Sequence, residues 1–317
     1  MKDIVTLSMN PSIDLSTSVD QVKPIRKLRC TALKRDPGGG GINVARVIRR
    51  LGADVTAICP IGGATGQLLR RLIDDEGIAS SAIQASEETR ADFTVSEKET
   101  GDQFRFVLPG PQLSEREWRE CFDAVVSFKV QSRFLVASGS LPPGVPEDFY
   151  GRVARVAKER GTKFILDSSG PPLEAALNEG VYLVKPNLRE LGELIRAPLE
   201  NEEAWVEASR NLVEAGRAEI VALTLGDKGA LLVSQDHAWR AQAMPVKAVS
   251  AVGAGDSFLG GLVWALASGF GLGDAFRYGN AAGLAAVLAA GTGLSRKEDV
   301  ERLYGEVVVR TIWERFG

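Results

Sequence analysis

Short apolar runs that suit strands alternate with amphipathic stretches that suit helices through the first two thirds of the chain. No other feature narrows the fold as far. Strand-like runs fall at 3–8, 54–59, 133–138, 163–167, 181–184 and 219–224, each ending near Gly, Pro, Ser or Asn. Helical periodicity at 41–51, 66–76, 114–127, 146–160, 187–195 and 201–216 fills the gaps between them. Apolar runs without polar alternation belong to strands covered on both faces, and a strand–helix–strand rhythm makes them parallel. The expected class is α/β: a mostly parallel central sheet with a layer of helices on either side. Ser114 and Glu117 have the spacing of a capping box, and Pro146-Glu147-Asp148 reads as a helix opening with acidic residues near its positive end. The last third turns mostly helical, at 253–269, 273–290 and 296–310.

Two segments break this rhythm. Residues 12–36 and 90–107 carry short alternating patterns, such as Phe104-Arg105-Phe106-Val107, with no helix between them. They predict a small sheet projecting from the main layer, a lid or an interface. The 317 residues contain no linker, repeat or low-complexity stretch, so 1–317 reads as one domain with the lid inserted in it.

The composition removes several classes of function. With 38 basic and 41 acidic side chains the net charge is −3, which leaves no global field to recruit nucleic acid or an anionic membrane. The one histidine, His237, lies in a polar stretch (Ser234-Gln235-Asp236-His237) that reads as a solvated turn, so a histidine-rich zinc site is excluded. Cys30, Cys59 and Cys121 are widely spaced and odd in number, which suits reduced thiols in a cytoplasmic protein. The start of the chain, a strand-like run ending at Asn10-Pro11, lacks the apolar core of a signal peptide. Uncharged stretches at 257–273 and 279–295 are rich in Gly, Ala and Ser, which suits buried helices better than membrane spans.

Glycine clusters carry the chemistry. Gly38, Gly39, Gly40 and Gly41 stand directly before an amphipathic helix whose first turn bears Asn43, an arrangement that lets backbone approach a ligand closely. The dinucleotide pattern G-x-G-x-x-G is not met, because Asn43 occupies its last position. A second cluster, Val252 to Gly261, opens a long apolar helix with the small residues Gly253, Ala254 and Gly255, followed by Asp256. Unpaired N–H groups at such an end stabilise an anion and set a carboxylate beside it. Asn187 and Glu190 share one face of a starting helix, suited to a hard cation through water or to plain capping. Thr224 to Ala230 is a glycine turn joining two strands, and no G-x-x-x-x-G-K-[S/T] occurs anywhere.

In this order, the four segments resemble the PfkB/ribokinase-like carbohydrate kinases from the first strand to about residue 294. Within that family the chain is most similar to the 6-phosphofructokinase branch, through Lys27-Leu28-Arg29-Cys30-Thr31, Gly38–Gly41 and Gly139-Ser140-Leu141-Pro142-Pro143-Gly144. The resemblance implies the ribokinase-like form of the α/β class, with ATP and Mg²⁺ as cofactors and a small sugar phosphate as partner. It makes Asp256 the general base and the amides of Gly253, Ala254 and Gly255 the anion hole for the moving phosphoryl group. Glu190 and Asn187 would hold Mg²⁺ through water, while Lys185, Asn187, Thr224, Gly226, Gly229, Asn280 and Gly283 would lie along the nucleotide. Asp14, Gly39, Asn43 and Gly139 would meet the sugar, and Lys27 and Arg90, helped by Arg29 and Arg105, its existing phosphate.

Many relatives write Asp-Thr where this chain has Ser250 and Ala251. Backbone carbonyls near Ser250, Val252, Ala286, Ala289, Gly291 and Gly293 remain candidates for a K⁺ site. The segment from Pro60 to Gly66 also lacks the Asp of the ribokinase-type version, as expected of the phosphofructokinase branch. Fructose 6-phosphate is the expected acceptor. Fructose 1-phosphate and tagatose 6-phosphate are the near alternatives, and a nucleotide-dependent oxidoreductase or a non-catalytic sugar-phosphate sensor the remote ones. A homodimer paired through the lid is also expected.

Overall fold

Ile4–Leu7 (β1) is buried along its whole length, as a strand flanked on both edges and covered on both faces must be. The computed structural model describes residues 4–31, 33–128, 133–244, 250, 252–289 and 293–314. After β1 the chain leaves the main layer for β2 (Ser12–Val19) and β3 (Lys34–Gly38), then returns through α1 (Gly40–Arg50), β4 (Val55–Ile61), α2 (Gly63–Asp75) and β5 (Ala79–Gln84). A second excursion forms β6 (Arg90–Glu97) and β7 (Gln103–Phe106). Strands and helices then alternate through α3 (Glu115–Ser127), β8 (Phe134–Ser138), α4 (Phe149–Glu159), β9 (Lys163–Asp167), α5 (Gly170–Glu179), β10 (Val181–Val184), α6 (Leu188–Ile195), α7 (Glu202–Glu214) and β11 (Ala218–Thr224). Last come β12 (Gly229–Ser234), β13 (His237–Gln242), α8 (Ala254–Ala267), α9 (Leu272–Val287), α10 (Lys297–Tyr304) and β14 (Val309–Glu314).

The main sheet has ten strands in the order β14-β13-β12-β11-β10-β9-β8-β1-β4-β5. It is parallel from β5 to β11 and antiparallel from there to β14. One apolar core lies between the sheet and α1, α2, α8, α9 and α10, the other between the sheet and α3 to α7. The expected three layers are therefore present. The two excursions pair into a separate four-stranded sheet, β3-β2-β6-β7, matching the segments that broke the rhythm.

Local chemistry explains where the elements begin, and where the sequence reading missed. The capping box at Ser114 and Glu117 forms, with both Ser114 N and its hydroxyl donating to Glu117 Oε2 at 2.7 and 2.8 Å. α4 starts only at Phe149, with Asp148 as an N-cap that makes no side-chain capping bond, so Pro146 and Glu147 stand outside the helix. α5 is absent from the helical stretches read from the sequence; its prolines, Pro171 and Pro172, occupy the first helical turn, where a missing N–H costs nothing. Residues 309 and 310, expected at the end of a helix, belong to edge strand β14. His237 is not in a turn but opens β13, stacked on Trp239 at 4.6 Å and 3.3 Å from Glu314.

Helices α1 and α8, whose first turns bear Asn43 and Asp256, touch through glycine. A Cβ on Gly260 would lie 2.7 Å from Val47 Cβ, and one on Gly261 would lie 2.6 Å from Ala282 Cβ on α9. These two glycines serve helix packing. Gly260→Ala should destabilise the protein by ~1–3 kcal/mol through overpacking, seen as a lower urea midpoint; an unchanged midpoint would mean that the helices have slack at this contact.

Candidate active site

Strand order runs outward from β1 in two directions, through β4 and β5 on one side and through β8 to β11 on the other. Loops leaving β1 and β8 therefore diverge, opening a crevice at the carboxyl ends of the parallel strands. The glycine run crosses that crevice. A side chain on Gly40 would overlap Ser138 at the end of β8, and one on Gly41 would overlap the Leu7 carbonyl at the end of β1. Gly39 has φ 100°, and a Cβ there would lie 2.8 Å from Ser8 Oγ. The run is glycine because two strand ends touch its backbone.

α8 starts across the crevice. Its N-cap, Gly253, has φ 74° and no side chain of its own, so among the described residues no side-chain cap occupies the first-turn N–H groups, which suits them to an anion. Asp256 projects from this turn and accepts a hydrogen bond from Asn43 Nδ2 at 2.9 Å. Burial pushes the Asp256 pKa up to about 6; the charges of Asp167 and Asp14 add to the rise, while the Asn43 bond and the Lys185 charge oppose it.

The ends of β8, β9 and β10 supply the surroundings. Lys185 is buried just past β10, with its amine 3.0 Å from Asp167 Oδ1 at the end of β9. Burial pulls the Lys185 pKa down, but the adjacent Asp167 and the more distant Asp256 and Glu190 hold it above its ordinary value. Ser138 donates to Asp167 Oδ2 at 3.2 Å, and Gly139 N donates to Asp167 O at 2.9 Å. The Gly139 carbonyl accepts from Tyr150 and Ser168, so this residue is held from every side at φ 109°.

At the other end of the crevice, Asp14 lies over Gly38 and accepts from Ser12 Oγ at 2.8 Å. Its pKa is raised by burial, against the Ser12 bond, with the Asp92 charge raising it further and Arg46 and Arg105 opposing. Arg90 reaches Asp92 at 3.0 Å, the Leu108 carbonyl at 3.1 Å and the Asn10 carbonyl at 3.2 Å, and its buried Nε has no partner. Arg105 is exposed on β7. Lys27 and Arg29 are exposed as well and bond to no described residue, so the structure does not bring them into the crevice.

The expected nucleotide residues divide. Asn187 and Glu190 form a reciprocal capping box, each side chain accepting the other's N–H at 2.9 Å. That occupies Glu190 Oε2 and, among the described residues, leaves Oε1 without a hydrogen bond. Thr224 sits at the end of β11, its N–H donating to Pro186 O at 3.0 Å. Gly226 (φ 62°) and Gly229 (φ 92°) bound a single 3₁₀ turn, and Gly229 also has no room for a side chain against Ala241. Asn280 spends its Nδ2 on the Phe276 carbonyl at 2.7 Å, and a Cβ on Gly283 would lie 3.4 Å from the Ala254 carbonyl at the start of α8.

Ser250 N donates to Val287 O at 3.2 Å, which ties Ser250 to the last turn of α9, where Ala286 lies with Ala289 just beyond it. Gly291 is outside the described residues. Gly293 and Ala289 also border a cavity of about 720 Å³ behind α9, with Arg50, Arg296 and Lys297 in its wall. That cavity contains none of the crevice residues, and the chemistry gathers at the strand ends instead. Among the described residues no three His, Cys, Asp or Glu side chains cluster as metal ligands, and no helix is long and apolar enough to cross a membrane.

Sequence reasoning passed over Asp167 and Arg46. Asp167 ends an apolar run that reads as a parallel strand, and a carboxylate at that end is a signal for a site. Arg46 falls one turn after Ile42 on the apolar face of α1, where a charge has to find a partner.

Comparison with known proteins gives the same reading. The model of the pfkB family carbohydrate kinases matches residues 2–299. An ATP-dependent 6-phosphofructokinase isozyme 2 from Mycobacterium tuberculosis is 45% identical over 95% of this chain and 88% of its own. The isozyme 2 enzyme of Escherichia coli is 42% identical over 96% of this chain and 98% of its own. The crystal structure of phosphofructokinase-2 from Escherichia coli in complex with potassium superposes with a TM-score of 0.92 at 41% identity, over 96% of this chain and 99% of that one. With its ribokinase-like fold, its glycine run at the strand ends and its carboxylate at the start of α8, the chain belongs to the pfkB family of carbohydrate kinases, phosphotransferases with an alcohol group of a sugar as acceptor.

Proposed function

We propose that the protein transfers the terminal phosphoryl group of ATP to the carbon-1 hydroxyl of fructose 6-phosphate, with Asp256 as general base. The observation that carries this reading is the placement of Asp256 in the uncapped first turn of α8, bonded to Asn43 through one oxygen only. Among the described residues nothing bonds Oδ1, which is left to take the hydroxyl proton, and a pKa of about 6 makes the carboxylate a better base than usual while leaving it ionised at neutral pH. The N–H groups of Gly253, Ala254 and Gly255 point where charge develops on the transferring group, and Lys185 adds a buried positive charge close to Gly255.

Glu190 is suited to Mg²⁺ through water, since its second oxygen is uncommitted; Asn187 contributes less, because its side-chain oxygen already caps the helix. When bound, Mg²⁺ offsets the charge of the nucleotide phosphates. Backbone carbonyls beside Ser250, Val252, Ala286 and Ala289 suit K⁺, and the Escherichia coli relative with potassium supports this. Thr224, Gly226 and Gly229 flank the path of the nucleotide.

At the acceptor end, Asp14, Gly39, Asn43 and Gly139 face the sugar and Arg90 its phosphate. Lys27 and Arg29 join them only when the lid segments are covered. Ile25, Phe104, Phe106, Val107 and Leu108 expose apolar surface on this small sheet, which supports a homodimer paired lid to lid. Free thiols buried at Cys59 and Cys121 agree with a cytoplasmic location.

Asp256→Asn should retain binding of ATP and sugar phosphate but lose at least ~10²-fold in turnover; near-wild-type turnover would remove Asp256 from the base role. Because the base acts ionised, kcat in the native protein should climb as pH rises through about 6 and level off above neutrality. The acceptor is tested by comparing kcat/KM for fructose 6-phosphate, fructose 1-phosphate and tagatose 6-phosphate. Fructose 6-phosphate should lead, and Lys27→Ala should raise its KM steeply while leaving that for ATP nearly unchanged. A tenfold advantage for either other sugar would reassign the substrate. Sedimentation should find a dimer at micromolar concentration, and fully active monomer would reject the lid pairing.

A further inference from the structure

Arg46 sits one turn after Asn43 on the buried side of α1 and is 1% exposed. It donates to Asp36 Oδ1 at 3.2 Å and Pro37 O at 3.0 Å on β3, to Glu76 Oε1 at 2.9 Å just past α2, and to Asn43 Oδ1 at 3.3 Å. A charge so enclosed requires opposite charge nearby, and Asp36 and Glu76 already supply it. The contact with Asn43 is left over from that structural duty.

Asn43 stands between a group that only donates and one that only accepts. Arg46 has no acceptor atom, and ionised Asp256 has no donor. Of the two ways round for the Asn43 amide, this pair permits one, with Oδ1 toward Arg46 and Nδ2 toward Asp256. The flipped amide would set oxygen against carboxylate and N–H against N–H.

We propose that Arg46 is a positioning residue for phosphoryl transfer: by fixing the Asn43 amide it keeps Asp256 Oδ2 occupied and leaves Oδ1 facing the acceptor hydroxyl. This rests on Asp256 being the base. The charged groups around Asp256 are Asp167 and Lys185 from the strand ends and Asp14 from β2. None of them is held by Arg46, whose charge does reach Asp14.

Arg46→Lys keeps that charge but loses the planar fork. It should lower kcat about tenfold, leave KM for ATP unchanged and move the acid limb of kcat upward by about one pH unit, because a lost donor disfavours the ionised carboxylate. In an Asn43→Ala background the same change should move the limb no further. Glu76→Gln loosens the same cluster without touching the Arg46–Asn43 contact, so it should lower Tm and leave the limb in place. The proposal is overturned if Arg46→Lys behaves like Glu76→Gln, or if the shifts from positions 43 and 46 simply add. Should Arg46→Lys not fold, native protein labelled with ¹⁵N-asparagine carries the test. The Asn43 side-chain amide pair, assigned by its loss in Asn43→Ala, should be fixed and should follow the titration of Asp256; an averaged pair, or one indifferent to that titration, overturns the proposal. Failure of the base assignment looks different, since it appears as retained turnover in Asp256→Asn whatever the residue at 46.

Discussion

Two carboxylates, Asp167 and Asp256, share the field of one buried ammonium, Lys185, at the point where the parallel strands end. In a low-dielectric setting this balance is delicate. Removing the ammonium would leave two like charges facing each other, and removing Asp167 would take away the amine's direct ion pair. The main sheet exists, from the site's point of view, to hold these groups in register. Asp167 closes β9 and Lys185 follows β10, strands paired directly through Leu183–Ile165 and Val184–Leu166. Asp256 arrives from a different element, and its distance from the pair depends on how α8 seats on α1 and α9.

That seating explains why glycine is concentrated where it is. Gly40 and Gly41 let the chain pass over the ends of β8 and β1, while Gly260, Gly261 and Gly283 let three helices approach at backbone distance. Gly253 is pressed by Leu294, whose carbonyl accepts from Arg50, and Arg50 shares Glu76 with Arg46. Asp256 is thereby approached from both sides by one connected set of contacts, through Asn43 on the first side and through the cap of its own helix on the second.

Much of this was legible in the sequence because it is periodic or local. The parallel strands are apolar runs, α1 and α7 are amphipathic, and the capping residues Ser114 and Asn187 lie three residues before their partners. What escaped depends on pairing at long range. The strand Arg310 occupies exists only because β13 offers an edge to it, and α5 hides behind two prolines. Asp167 carries no motif, and Arg46 ends the glycine signature without a role of its own there; their importance comes from neighbours 18 and 30 positions away, Lys185 and Glu76. Lys27 and Arg29 show the opposite case, a reading taken from resemblance whose geometry a single copy of the chain leaves open to solvent.

The thiols add a practical property. Cys59 and Cys121 are buried, and burial pushes the Cys59 pKa up to about 12 and that of Cys121 upward as well, so neither supplies thiolate at neutral pH. Cys30 is exposed, on the stretch that links β2 to β3. The native chain thus comes with a single attachment point for a maleimide dye or spin label, on a connection within the small sheet, and the motion or pairing of that sheet can be followed spectroscopically without altering a residue.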